Sequence, residues 1–123
     1  MLIRNYLDTP AIEKTIHDGE GLIKSRKLFG AEDFATNLRY VAQTELPPGA
    51  SIGFHAHADA REEVYVIQYG TGRVRIDDQE RPVRTGDVIV THVGESHGLF
   101  NDSAAPLGVF VFWVAKQAEP SCG

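Results

Sequence analysis

Gly49-Ala-Ser-Ile-Gly-Phe-His55-Ala-His57-Ala-Asp-Ala-Arg-Glu62-Glu63-Val-Tyr65-Val-Ile-Gln-Tyr-Gly70 is the stretch whose reading decides the fold. Glu63–Tyr69 mixes β-branched and aromatic residues and stops at a glycine, the composition of a strand. Residues 52–57 read as another strand. Side chains alternate faces along a strand, so His55 and His57 point the same way. Two imidazoles on one face are costly to bury unless something binds them. A divalent metal completed by a carboxylate and a third imidazole would satisfy both. Carboxylates follow at once, in Glu62 and Glu63. A further imidazole is available in a second segment, Gly86-Asp-Val-Ile-Val-Thr-His92-Val-Gly94-Glu-Ser-His97-Gly-Leu-Phe-Asn101.

Outward from these segments the pattern stays β. Strand-like runs cover 38–46, 52–57, 63–69, 72–76, 81–83, 87–91, 96–101 and 107–114. They are separated by turn signals such as Pro47-Pro48-Gly49, Gly70-Thr-Gly72, Asp77-Asp78 and Thr85-Gly86. Many short strands at this spacing predict an all-β sandwich or barrel. Residues 1–35 are weakly patterned, with a turn cluster at His17-Asp-Gly-Glu-Gly21 and a strand candidate at 22–29. The run Val109-Phe-Val-Phe-Trp-Val114 is apolar on both faces, so its outer face needs cover from the N-terminal segment or a second subunit. The expected organisation is an N-terminal arm over 1–36, a barrel core over 37–116 and a mobile tail over 117–123.

Over residues 37–115 the chain resembles the cupin superfamily. The first motif of that family, G-x5-H-x-H-x3–4-E-x6-G, is matched by Gly49, His55, His57, Glu63 and Gly70, except that five residues separate His57 from Glu63. The second, G-x5-P-x-G-x2-H-x3-N, is matched by Gly86, Gly94, His97 and Asn101, with His92 in place of the proline. The resemblance implies a double-stranded β-helix, or jelly-roll, barrel with a short irregular N-terminal segment. It also implies an internal metal on His55, His57, Glu63 and His97. This donor set suits one divalent transition metal (Mn, Fe, Co, Ni, Cu or Zn) without choosing among them.

Two counts compete for the carboxylate. Counting forward from His57 favours Glu62, and counting back from Gly70 favours Glu63. The turn at Gly70 fixes the strand register, whereas residues 58–62 read as a loop able to absorb an extra residue, so Glu63 is preferred. Tyr65 shares the parity of Glu63 and is a candidate ligand contact. His92, near the motif, is a candidate proton carrier or a plain turn residue. His17 reads as exposed. Arg39 and Gln43 are expected to face away from the interior, while Phe54, Phe100 and Trp113 read as packing residues. Asn101 is expected to close a turn through its amide.

The 123 residues suffice for one domain and one core. A net charge of −5 disfavours binding to nucleic acid, and no apolar run is long enough to span a membrane. A single cysteine, Cys122, excludes an internal disulfide, and with no secretory leader in view it fits a cytoplasmic protein. A homodimer is expected from the apolar outer strand face. Three histidines and a glutamate would leave coordination positions open on a five- or six-coordinate metal. The expected ligand is therefore a small organic molecule bearing carboxylate, keto, enol or hydroxyl oxygens. The resemblance admits dioxygenase, decarboxylase, isomerase, lyase and cyclase chemistry. Two-barrel oxalate decarboxylases need a second domain, for which this chain has no length. The other class of reading is a non-catalytic small-molecule binder or sensor.

Overall fold

The computed structural model describes residues 1–116. Residues 117–123, expected to form a mobile tail and including Cys122, lie outside the described residues. Among the described residues, ten strands form two antiparallel sheets. They are β1 (Ile12–Lys14), β2 (Ile23–Gly30), β3 (Leu38–Leu46), β4 (Ser51–Ala56), β5 (Arg61–Tyr69), β6 (Thr71–Ile76), β7 (Gln79–Arg84), β8 (Val88–Thr91), β9 (Ser96–Phe100) and β10 (Leu107–Ala115). The larger sheet has the order β1-β2-β3-β10-β5-β8, and the smaller β4-β9-β6-β7. Helix among the described residues is confined to short 3-10 turns at Tyr6–Asp8 and Ala31–Asp33. No helix of the described residues is long and apolar enough to cross a membrane. This is the jelly-roll β fold.

Alternation fixes what faces inward. Ile23, Leu46, Ile67, Leu107 and Val109 from the larger sheet meet Ile52, Val74, Val83 and Leu99 from the smaller one in a single buried core. β10 lies between β3 and β5, so its doubly apolar sequence is paired on both edges. Leu107, Val109 and Val111 face the core, while Phe110 and Phe112 stay half-buried on the outside. The N-terminal segment covers part of that outside: the Tyr6 ring meets Phe110 edge-on at 5.7 Å. Within residues 1–36, β1 and β2 also extend the larger sheet beside β3.

Expectations about three residues and one loop are corrected. Gln43 does face away from the interior, but it is fully buried instead of solvated. It accepts from Arg26 at 3.2 Å and donates to Gln68 at 3.1 Å, and Gln68 in turn donates to the Tyr6 hydroxyl at 3.0 Å. Phe54 and Phe100 are exposed instead of packed in the core, and the Arg75 guanidinium lies 3.9 Å over the Phe54 ring. Phe100 alternates with buried Leu99 along β9, whereas Phe54 is turned by a break in register. Ile52 pairs with Leu99 and His55 with His97, so an irregularity between them reverses the alternation and turns Phe54 outward. Finally, the connection after β4 is shorter than 58–62, because Arg61 and Glu62 already pair with Ala115 and Val114 of β10.

Asn101 ties two turns together from a fully buried position. Its amide donates to the Leu46 carbonyl at 2.9 Å and the Ala105 carbonyl at 2.8 Å, and its oxygen accepts from the Ser103 backbone and hydroxyl. Removing this amide strands buried partners. Asn101→Ala is expected to lower unfolding free energy by about 3 kcal/mol in denaturant titration. A loss below about 1 kcal/mol would show that water replaces the amide readily.

Candidate metal centre

Three strands and one strand end deliver four donors to one point. β4 carries His55, and His57 follows just past its end. β5 carries Glu63, and β9 carries His97, which is paired directly opposite His55. Glu63 is flanked in its row by Trp113 of β10 and Thr91 of β8. One donor atom from each of His55, His57, Glu63 and His97 lies within 4.8 Å of all the others. His55 Nε2 is 3.3 Å from His57 Nε2, and Glu63 Oε2 is 2.8 Å from both His57 Nε2 and His97 Nε2.

The remaining ring nitrogens are engaged behind the cluster. His55 Nδ1 lies 2.6 Å from the Gly53 carbonyl, which can only accept, so Nδ1 carries the proton and neutral His55 presents a lone pair at Nε2. His97 Nδ1 lies 2.8 Å from the Thr91 hydroxyl. Its Nε2 is buried and makes no aligned hydrogen bond, although Glu63 Oε2 is close. An orphaned buried nitrogen directed at a carboxylate and two more imidazoles is an arrangement that a cation resolves. The donor set thus fits a transition metal on chemical grounds.

Electrostatics point the same way. Burial lowers His55 to a pKa of about 4, against a smaller raising effect of the Gly53 carbonyl, so the ring is neutral near pH 7 and free to ligate. Burial alone would raise the Glu63 carboxyl, but the His97 and His57 rings more than offset it and hold Glu63 below its ordinary value.

Glu62 and His92 stand outside this cluster. They face solvent on the outer side of β5 and β8, with His92 Nδ1 2.6 Å from a Glu62 oxygen. That contact, more than anything else, raises the His92 pKa. Tyr65 is buried, with its ring stacked on His97 at 5.1 Å and 21°. Its hydroxyl makes no hydrogen bond among the described residues, and burial keeps it protonated far above neutral pH.

Two residues that sequence reasoning did not place at the site are there. His17 is exposed as expected, yet its ring stacks on His55 at 3.4 Å between centroids and 12° between planes. The turn that carries it holds His17 and Asp18 at φ of 51° and 56°, a left-handed conformation that side-chain-bearing residues rarely adopt. It seats against β4 because Gly53 has no side chain: a Cβ there would overlap the His17 carbonyl. The available signal was Gly53 itself, since glycine inside a strand marks close backbone approach. Arg61 is the second, with its guanidinium 3.6 Å over the Trp113 ring. These residues, with Lys14, Tyr40, Thr44 and Tyr65, line a cavity of about 380 Å³ in front of the cluster.

The depressed His55 pKa has a consequence for metal-free protein. A histidine that titrates near 6.5 when unfolded and near 4 when folded makes protons favour the unfolded chain between those values. Stability of the metal-free protein is therefore full above about pH 6.5 and falls as pH drops toward 4. Thermal denaturation at pH 7.5 and pH 5.0 checks this, and His55→Gln should shrink the difference. Parallel losses in both proteins would remove His55 as the cause.

The geometry agrees with what the chain is similar to. A family model described as Cupin domain matches residues 42–114. The oxalate-binding protein of Thermotoga maritima is 33% identical over 101 residues, covering 82% of this chain and 83% of that protein. A Thermotoga maritima crystal structure described as a predicted oxalate decarboxylase superposes with a TM-score of 0.89 at 27% identity, covering 94% of this chain and 100% of the other. The polyketide cyclase RemF of Streptomyces resistomycificus superposes at 0.76 with 21% identity, over 98% of this chain and 82% of its own, which is a likeness of fold. Matched by that family model over more than half of its length and by a relative at 33% identity, this chain belongs to the cupin superfamily.

Proposed function

We propose that the chain binds one divalent transition metal through His55, His57, Glu63 and His97 and uses it to bind and convert a small oxygen-rich organic acid or carbonyl compound. The observation that carries this is the convergence of four donors around the orphaned His97 Nε2. When bound, the metal would supply Lewis acidity to a ligand oxygen. The protein's own contribution is the cavity: Tyr65 offers a neutral phenol as hydrogen-bond donor, and apolar walls from Ile16, Ile52, Val111 and Trp113 limit water. Similarity to an oxalate-binding protein supports a small organic acid as ligand. Dioxygenase, decarboxylase, isomerase, lyase and cyclase chemistry all suit such a centre.

The name of that same relative favours a second reading, in which the centre binds its ligand without converting it. Metal-loaded protein and the His57→Ala variant, incubated with small organic acids with and without O2, separate the two. Metal-dependent loss of a compound supports the enzyme, and tight binding with no loss under either atmosphere supports the binder.

The ligand set is tested directly. His57→Ala is expected to remain folded and to lose nearly all metal on elemental analysis. Glu63→Gln should weaken metal affinity about 100-fold or more, and Glu62→Gln less than about threefold. The reverse ranking would move the ligand to Glu62.

We also propose that the larger sheet's outer face forms a homodimer. Val88, Val90 and Val114 are all exposed there, next to half-buried Phe110 and Phe112. Light scattering at micromolar concentration should give twice the chain mass, and Val90→Glu should give a folded monomer. A monomeric wild-type protein would contradict the proposal.

A further inference from the structure

The reading above leaves the ligand class broad; the surroundings of Arg61 narrow it. Arg61 is on the inward face of β5, two positions before Glu63. Its guanidinium is held in three ways. It lies over the Trp113 ring at 3.6 Å, and its Nε and Nη2 each donate to Asp59 at 2.7 Å. The third group, Nη1, makes no hydrogen bond among the described residues. It points to the side of Glu63 away from the histidines, 4.0 Å from Oε1, while Oε2 faces His57 and His97. That separation is too long for a hydrogen bond.

Arg61 therefore presents a fixed, unused N–H pair beside the cluster, at the cavity wall. The side chain is mostly buried, with Nη1 left open at the cavity. Lys14 lines the same cavity, and none of the ion pairs among the described residues involves it. Glu63 is the one carboxylate in the lining, and a metal ion on the cluster would neutralise it. Asp59 offsets the Arg61 charge, and the metal and Lys14 still leave the cavity net positive. A carboxylate accepts from the free Nη1 better than a ketone, enol or alcohol does, because its charge strengthens the hydrogen bond.

We propose that Arg61 receives a carboxylate of the ligand, so that the metal-loaded cavity takes small carboxylic acids in preference to chelators that lack one. The proposal rests on the metal-centre reading given above. Pinning by Asp59 and Trp113 places the donors before the ligand arrives, which reduces the ordering cost of binding.

The test uses full-length protein loaded with Mn²⁺ and two probes, oxalate and acetohydroxamate, in calorimetric titrations. Metal affinity is measured separately for each variant. Arg61→Gln is expected to weaken oxalate binding about 10- to 100-fold, with acetohydroxamate and Mn²⁺ affinities changed less than about threefold. Arg61→Lys, which keeps the charge but cannot bond Asp59 through two nitrogens and still offer a third, should restore oxalate binding only in part and guards against a folding defect in the first variant. Equal weakening of both probes, or no weakening of oxalate, overturns the proposal, as does wild-type protein that binds Mn²⁺ but not oxalate. Failure of wild-type protein to take up any transition metal would instead overturn the metal-centre reading, and this inference with it.

Discussion

The pairing of His55 on β4 with His97 on β9 is the constraint on which the rest of the site depends. It brings one imidazole from each histidine motif into a single row of the smaller sheet. Across the barrel, Glu63 of β5 stands opposite Thr91 of β8, and Thr91 holds the far nitrogen of His97. The two sheets are thus joined at the cluster by polar contacts at the edge of an otherwise apolar core. Such contacts are stable only when each buried donor and acceptor is matched. Among the described residues, the buried nitrogen left unmatched is His97 Nε2, and it faces the centre of the four.

A local irregularity makes this possible. Strict alternation would put Ile52, Phe54 and Ala56 on one face and His55 on the other. Ile52 and His55 instead both turn inward, because β4 shifts register against β9 between them. Gly53 sits at that shift and serves twice: its carbonyl fixes the His55 tautomer, and its bare α-carbon admits the turn that carries His17. The backbone N–H of Gly53 also bonds the Ile16 carbonyl at 3.1 Å, so the N-terminal segment is tied to the site and not only to the sheet.

Much of this was legible in the sequence, for identifiable reasons. β3 was found at its full extent, 38–46, because Pro47-Pro48-Gly49 ends it and its apolar residues alternate. Five residues after His57 instead of three or four left Glu62 and Glu63 in competition, and counting from the Gly70 turn chose the residue that the structure places in the cluster. Register set by a turn is rigid, whereas loop length is not. What escaped was long-range. Phe54 looked like a core residue because the register shift depends on the partner strand. Gln43 looked solvated because its cover, Tyr6 and Gln68, comes from distant parts of the chain. His17 and Arg61 carried no motif; a turn from the first twenty residues and a ring from the last strand bring them to the site.

The central claim is that these four side chains form one metal-binding unit. A crystal structure of protein purified without chelators or a metal-binding tag, with diffraction recorded on both sides of the absorption edge of the metal found by elemental analysis, addresses it most directly. The account predicts one anomalous peak per chain, within about 2.0–2.3 Å of His55 Nε2, His57 Nε2, a Glu63 oxygen and His97 Nε2. A peak coordinated elsewhere, or none in protein saturated with transition metal, would contradict it.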